Sequence, residues 1–184
     1  MKRNYPLLIC LILFITSCSK EAENPNYDLL LEGEWEMYSW EQTGKTTTDY
    51  SEYLGQPISQ DYNYQASATI NENSLIFTKE PNSVSAYNDL EVFFEGSLTT
   101  FPLGFSEDYE MSSSLELSTN GTWSVNGNQV TMTDEQTGNT LISKIIKLDE
   151  TDLILETRID STFNYEGIDV TASAINTAKY SKIN

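Results

Sequence analysis

Five short apolar and β-branched runs follow one another between residues 115 and 156, each separated from the next by turn-forming residues. Asn-Gly and Gly-Asn steps readily take tight bends and positive φ angles, and their alternation with short apolar runs is typical of β-hairpins. The predicted turns are Asn120-Gly121, Asn126-Gly127, Gly138-Asn139 and residues 149–152. This stretch is therefore predicted to be an antiparallel meander, which places the chain in the all-β class.

Side-chain parity gives a prediction of the strand register, because directly opposed residues of an antiparallel pair share a face. A two-residue turn at 126–127 sets Trp123 opposite Val130, so that apolar meets apolar. For the preceding turn we favour a three-residue loop, which sets Leu117 opposite Val125. A two-residue loop there would oppose an apolar and a polar side chain.

The strand pattern continues on both sides of the meander. Further strands are predicted at residues 36–40, 66–70, 75–78 and 90–98, and residues 160–168 and 170–183 are predicted to give one or two final strands. The second and third of these form a hairpin across residues 71–73, and residues 178–183 pair back on the first strand. Short strand-like runs at this spacing predict eight to ten antiparallel strands in up-and-down order, which close into a β-barrel.

An apolar, turn-rich segment at residues 99–108 contains Phe101, Leu103 and Phe105. A segment of this composition either packs over one end of a barrel or forms an exposed binding surface. We favour packing over the end of the barrel.

The first 17 residues have the composition of a secretion signal. Lys2 and Arg3 form a basic head, and residues 7–15 form an apolar run that is too short to span a bilayer as a helix. The small residues directly before Cys18 resemble the lipobox of bacterial lipoproteins. That resemblance implies cleavage before Cys18 and acylation of this cysteine, which anchors a protein without spanning the membrane. Cleavage of an ordinary signal peptide nearby is the alternative.

Residues 18–28 are predicted to be the lipidated cysteine and a flexible tether, and residues 29–184 a single folded domain. Ser19 resembles the corresponding residue of lipoproteins destined for the outer membrane of Gram-negative bacteria. Lys20-Glu21 resembles the short export signal of surface-exposed lipoproteins in Bacteroidota. These resemblances imply an outer-membrane lipid anchor on the cell surface, with the periplasmic face as the alternative.

Composition excludes several kinds of chemistry. The chain has no histidine, and its two cysteines are Cys10, in the signal, and Cys18. The folded domain therefore has no disulfide, no thiolate, and neither the usual general base nor the usual zinc ligands. No phosphate loop or nucleophile elbow is present. We predict that the protein is not an enzyme and uses no cofactor; a hydrolase acting through paired carboxylates is the remaining catalytic alternative.

The charge balance is strongly acidic. Removal of the signal leaves eight basic side chains against 28 acidic ones, a net charge of −20. Nucleic acid and anionic lipid are repelled at this charge and are not expected partners. The acidic turns at 134–135 and 149–152 lack the ordered ligand run of a calcium loop, so we expect solvated turns and no metal.

Two tryptophan motifs occur in a characteristic order. Gly33 and Trp35 form a Gly-x-Trp motif on the first strand, and residues 121–125 (GTWSV) precede a Gly-Asn turn and two closing strands. In this respect residues 29–160 resemble the lipocalin-like lipoprotein domains of Bacteroidota. The resemblance implies a lipocalin-like β-barrel in which Trp35 plugs one end and Arg158 lies across its ring. Pairing of Arg158 with a carboxylate is the alternative.

The polar segment at residues 43–65 is predicted to be a long loop, and such loops are functional or mobile. The lipocalin resemblance implies a lid over the barrel mouth, in which Tyr50 and Tyr53 contact a ligand. A mobile insertion with solvent-facing tyrosines is the alternative.

Three functions remain open at this stage. The first is binding of a small apolar or amphipathic ligand in a cavity lined by Phe94, Trp123 and Met132. The second is a non-catalytic accessory lipoprotein whose barrel is filled by its own side chains and whose loops meet a protein or glycan. The third is the carboxylate hydrolase. Eight-stranded barrels occur both filled and with one small ligand, so the fold class does not separate the first two.

Overall fold

The computed structural model describes residues 26–183, so the predicted signal, Cys18 and most of the tether lie outside the described range. The elements are α1 (Tyr27–Leu31), β1 (Gly33–Asp49), α2 (Ser51–Leu54), β2 (Ser59–Thr78), β3 (Ser83–Phe101), β4 (Phe105–Asn126), β5 (Gln129–Asp134), β6 (Thr140–Leu148), β7 (Asp152–Tyr165) and β8 (Ile168–Ile183). Neither helix of this described part is long and apolar enough to cross a membrane.

The eight strands pair antiparallel in chain order, and β8 pairs with β1 to close the ring. The predicted all-β, up-and-down barrel is confirmed, with the lowest of the expected strand numbers. Residues at the end of β8 return to the start of β1, as predicted, with Lys182 opposite Trp35. Burial alternates along the strands: Trp35 and Met37 lie inside, whereas Glu34 and Glu36 are exposed on the outer face.

The wall of the barrel is complete only in its lower half, because β5 and β6 are short. Only Gly121–Asn126 of β4 pair with β5, so residues 105–120 have a backbone-paired strand on one side, β3. In the same way, residues 158–165 of β7 pair with β8 alone. We call the gap in the wall between these two free edges the side opening.

The lower end of the barrel is closed by α1 and Trp35. The indole nitrogen of the fully buried Trp35 donates a hydrogen bond of 2.8 Å to the carbonyl of Leu31. The Lys182 ammonium lies 4.9 Å from the centre of the Trp35 ring and donates to the carbonyl of Leu30. Gly33, at φ +129°, has no side chain to obstruct the stem of Lys182. The Gly-x-Trp motif therefore makes room for a lysine that covers the tryptophan.

The predicted stacking of Arg158 on Trp35 is wrong. Arg158 lies at the start of the free edge of β7, where its side chain is 71% exposed and its Nε is 2.7 Å from Asp160 Oδ2. The alternative, pairing with a carboxylate, is confirmed. The cation over Trp35 is Lys182, which directly opposes it in the β1–β8 register.

The predicted hairpin across residues 71–73 is also wrong, because β2 runs through this segment. The register with β3 shifts between Ile70 and Glu72, which marks a β-bulge. The side chain of Asn73 accepts a hydrogen bond from the backbone nitrogen of Met37 and donates one to its carbonyl. The Asn73 side chain thus joins β2 to β1 where the backbone pairing of these two strands is interrupted between Trp35 and Glu41. This role explains why polar residues that resemble a turn lie within a strand.

No turn forms at 120–121, so the predicted pairing of Leu117 with Val125 is wrong. β4 continues through Gly121, where a Cβ would lie 1.9 Å from the carbonyl oxygen of Thr133. Glycine is needed here for the close approach of a neighbouring backbone and not for a bend.

The next hairpin turns one residue later than predicted. Gly127 and Asn128 form the turn, and Trp123 pairs with Met132 instead of Val130. The shift in register is two residues, so the prediction of which side chains share a face survives. The turns at 138–139 and 149–152 are confirmed.

Most of the predicted loop at 43–65 is strand. Residues 43–49 of β1 pair with residues 59–65 of β2, leaving only α2 and its flanks between them. Threonine and tyrosine favour strands, and most residues in this part of the sheet are half-buried, so it shows no strong apolar alternation. The β3–β4 turn is also unlike the expectation: Phe101 and Phe105 are exposed and Leu103 is 81% exposed, so this segment does not pack over the barrel end.

Replacing Gly121 with alanine tests the close contact between β4 and β5. The new Cβ would force the Thr133 carbonyl away, and we expect the free energy of unfolding to fall by about 1 to 3 kcal/mol, the usual cost of overpacking. Urea denaturation measures the change, with Ser124→Ala on the exposed face of the same strand as the matched control. Equal stability of the two variants would contradict this register.

Replacing Lys182 with methionine keeps the stem over Trp35 and removes its charge. We expect a loss of about 1 kcal/mol in unfolding free energy, from the cation–π contact and the hydrogen bond to Leu30. Arg158→Met is the matched control and should have a smaller effect, since that side chain is largely solvated. Tryptophan fluorescence during denaturation reports both. A larger loss for Arg158→Met would restore the stack that the lipocalin resemblance implies.

Candidate functional site: the barrel cavity and its side opening

A cavity of about 280 Å³ lies inside the barrel, above the closed lower end. Its volume is near the lower end of the roughly 300 to 1,000 Å³ typical of ligand sites. Most of its wall is apolar, formed by Trp40, Leu90, Leu115, Met132, Leu155 and Tyr180. Within the described residues no charged side chain lines it. The cavity therefore suits an uncharged, mainly apolar molecule.

The cavity communicates with solvent beside β4 and β7. Leu117, Leu141 and Ile159 line it, and they are 50%, 46% and 42% exposed, respectively. Each lies on a strand that borders the side opening. The place where the wall lacks two strands is thus the entrance to the cavity, and its rim is apolar.

Four neighbouring strands place polar side chains in one row across the inner face. Ser143 of β6 opposes Thr157 of β7, Thr157 opposes Asn176 of β8, and Asn176 opposes Gln42 of β1. We call these four residues the polar row. All four line the cavity, and Asn88 of β3 lines it as well, so a molecule held there meets both apolar side chains and hydrogen-bonding groups.

One member of the polar row has no partner. The hydroxyls of Ser143 and Thr157 lie 2.7 Å apart, and Gln42 Nε2 donates a hydrogen bond of 3.0 Å to the Tyr64 hydroxyl. Asn176 Oδ1 is buried and without a hydrogen-bond partner. Burying such a group costs about 1 to 3 kcal/mol, and native structures contain few of them. Asn176 is therefore the polar group best placed to contact a bound molecule.

Aromatic side chains lie above the polar row. Tyr62 stacks on Tyr64 with 5.3 Å between ring centres, and Phe94 and Tyr109 contact this pair edge-on. Burial raises the pKa of the Tyr64 hydroxyl, an effect that the hydrogen bond from Gln42 opposes, and burial also raises the pKa of Tyr62. Both hydroxyls therefore stay protonated at neutral pH, and that of Tyr62 is buried without a partner.

The predicted ligand-contacting residues fall in different places. Met132 lines the cavity, as predicted. Phe94 lies in the aromatic group above it. Trp123 is part of the lower core, where its indole donates to the carbonyl of Thr78, so it does not line the cavity. Tyr50 and Tyr53 lie in the short β1–β2 connection, and Tyr53 is exposed. The predicted loop is thus reduced to residues 50–58, and contact of Tyr50 and Tyr53 with a ligand stays a prediction.

The residues that sequence reasoning missed are Trp40, Gln42 and Asn176. Trp35 and Met37 have odd numbers and Trp40 an even one, so all three can face inward only if β1 contains a bulge. The register shift between Met37 and Ser39 shows that bulge. This change of parity was a usable signal for Trp40 and Gln42. Asn176 had none, because its neighbours in the row come from distant parts of the chain.

The acidic turns are satisfied by their own backbone. Asp149 Oδ1 accepts hydrogen bonds from the backbone nitrogens of Thr151 and Asp152, which hold the pKa of Asp149 far below its usual range. Lys147 contacts Asp149 and Asp152 at 3.1 and 2.7 Å. Asp134 accepts from the backbone in the same way. Among residues 26–183 no group of three or more acidic, histidine or cysteine side chains is arranged to hold a metal ion.

Fold and site together define an eight-stranded up-and-down barrel with an apolar cavity that opens sideways through its wall. Comparison with protein-family models and with curated proteins finds no match. Among solved structures, the chain is similar to the crystal structure of Ail, the attachment invasion locus protein of Yersinia pestis, at 9% identity. The match covers 81% of this chain and 99% of that chain, with a TM-score of 0.22. At that score the similarity carries no argument about function.

Proposed function

We propose that this protein binds a small, uncharged, amphipathic molecule in the barrel cavity. The observation that carries the proposal is the unpartnered Asn176 Oδ1 in a cavity whose wall is mainly apolar. The ligand's apolar body would lie against Trp40, Leu90 and Leu155, and its hydroxyl or amide would hydrogen-bond with Asn176. The proposed role is non-catalytic: among the described residues, the cavity wall supplies hydrogen bonds and apolar contact and carries no charged side chain.

Replacing Asn176 with leucine tests the proposal. Removing a buried, unpartnered polar group should raise the free energy of unfolding of the ligand-free protein by about 1 kcal/mol. The same change should weaken ligand binding at least tenfold. Thr177→Leu, on the outer face of the same strand, is the matched control and should leave binding unchanged.

Binding can be followed by tryptophan fluorescence, since Trp40 lines the cavity, and by the melting temperature. The probes are medium-chain alcohols, amides and carboxylates of equal chain length. We expect the neutral compounds to bind and the carboxylates to bind least, because no cationic side chain among the described residues faces the cavity. Equal binding to the Asn176→Leu variant, or no response to any compound, would contradict the proposal.

We further propose that the protein is an outer-membrane lipoprotein held by acylated Cys18 and displayed on the cell surface, with the periplasmic face as the other position. The support is the resemblance of the residues directly before Cys18 to a lipobox. Attachment would depend on the acyl chains of this cysteine.

Replacing Cys18 with alanine tests the anchor. We expect the wild-type protein to incorporate labelled fatty acid and to sediment with membranes, and the variant to do neither. Cys10→Ala is the matched control, because it removes the other cysteine of the chain and should leave labelling intact. Unchanged membrane sedimentation of Cys18→Ala would contradict acylation at this residue.

A further inference from the structure

The free edge of β4 is long and lacks most of the features that protect edge strands. Residues 105–120 pair with β3 on one side, and no strand of the described chain pairs with their other side. Native proteins usually protect such an edge with charged side chains, above all lysine, or with proline, a bulge or a covering segment. This segment has carboxylates but no lysine and no proline, and its register with β3 is unbroken. Apart from the Asn120 carbonyl, which accepts a hydrogen bond from the Glu135 backbone nitrogen, its backbone groups are therefore available to an added strand.

The two faces of this edge differ in chemistry. Met111, Leu115 and Leu117 face the interior beside the side opening, and Met111 and Leu117 are exposed. Alternate residues, including Asp108, Glu110 and Glu116, lie on the outer face. A strand added beside residues 111–117 would place every second side chain mainly on apolar groups and the others beside carboxylates. Further along the edge, Glu107 adds a carboxylate to the inner-facing series.

Acidic residues predominate on the neighbouring strand as well. Glu110 directly opposes Glu95 of β3, and Glu116 opposes Asp89. Like charges directly opposed across two strands destabilise a sheet. From residue 80 to residue 143, which includes all of β3, β4 and β5, the sequence contains no lysine or arginine. The cations that would relieve this repulsion are thus absent from these strands.

We propose that the free edge of β4 binds an extended segment of another protein in which basic and apolar residues alternate. The segment adds to β4 as an antiparallel or parallel strand, with its apolar side chains at the side opening and its basic side chains beside Asp108, Glu110 and Glu116. A second copy of this chain fits poorly, because pairing of β4 with its own copy brings acidic edges together. This inference goes beyond the proposed small ligand and uses different residues.

The test measures binding of a fluorescein-labelled eight-residue peptide of alternating lysine and valine to the purified protein. We expect Asp108→Lys combined with Glu110→Lys to weaken binding at least tenfold. The matched control is Glu34→Lys combined with Glu36→Lys, which makes the same charge change on the closed part of the barrel and should weaken binding less than threefold. Equal loss in both pairs would show only general attraction to an acidic surface and would overturn the proposal.

Backbone pairing needs its own measurement. We expect the peptide to slow amide hydrogen exchange of residues 105–120. Two further peptides carry N-methyl groups on the odd-numbered or on the even-numbered residues. We expect only one of these two peptides to lose binding, because alternate backbone nitrogens of an added strand donate to β4. Binding without these effects would overturn strand addition. Protection of the same amides in a dimer of the protein alone would show that a second copy is the occupant. Retention of peptide binding by Asn176→Leu would separate this edge from the cavity.

Discussion

The length of two strands determines what the rest of this barrel can do. β5 has six residues and β6 nine, whereas β4 has 22 and β7 has 14, so the wall is complete only where all eight are present. Backbone groups of a strand need partners. Above the β5–β6 turn, the backbone groups on the free edges of β4 and β7 must hydrogen-bond with water or with another molecule. The cavity entrance and the free edges both result from the shortness of β5 and β6.

The sequence was sufficient for the parts of the fold that depend on local alternation. Parity along residues 123–132 predicted which side chains share a face, and this held although the turn formed one residue later. Prediction from the sequence failed where the role of a residue depends on a neighbour that is distant in the chain. Gly121 resembles a turn glycine, and only the approach of Thr133 shows why it lies within a strand. Asn73 resembles a loop residue, and only its hydrogen bonds to Met37 show its role across a bulge.

The site was less predictable than the fold for the same reason. Met132 lies in the meander, where local pairing could be inferred, and it lines the cavity. The polar row depends on the β8–β1 pairing that closes the ring, together with a bulge in β1 that brings Gln42 to the inner face. The closing pairing was predicted for the end of β8, and the bulge could have been inferred from the change of parity between Met37 and Trp40. Asn176 has no such local signal. A buried polar group without a partner, such as Asn176 Oδ1, lowers the stability of the fold. The polar row is therefore an exception in a core that is otherwise apolar.

The contact between Lys182 and the carbonyl of Leu30 has a consequence for how the molecule is held. It joins the last strand to α1, so the chain enters the barrel at its closed lower end. Eight residues separate Cys18 from Tyr27, and at about 3.5 Å per residue they reach about 30 Å at most. With Cys18 acylated, as proposed, the closed end would stand toward the membrane. The upper half, with the side opening and the free edges, would then point away from the lipid on either face of that membrane.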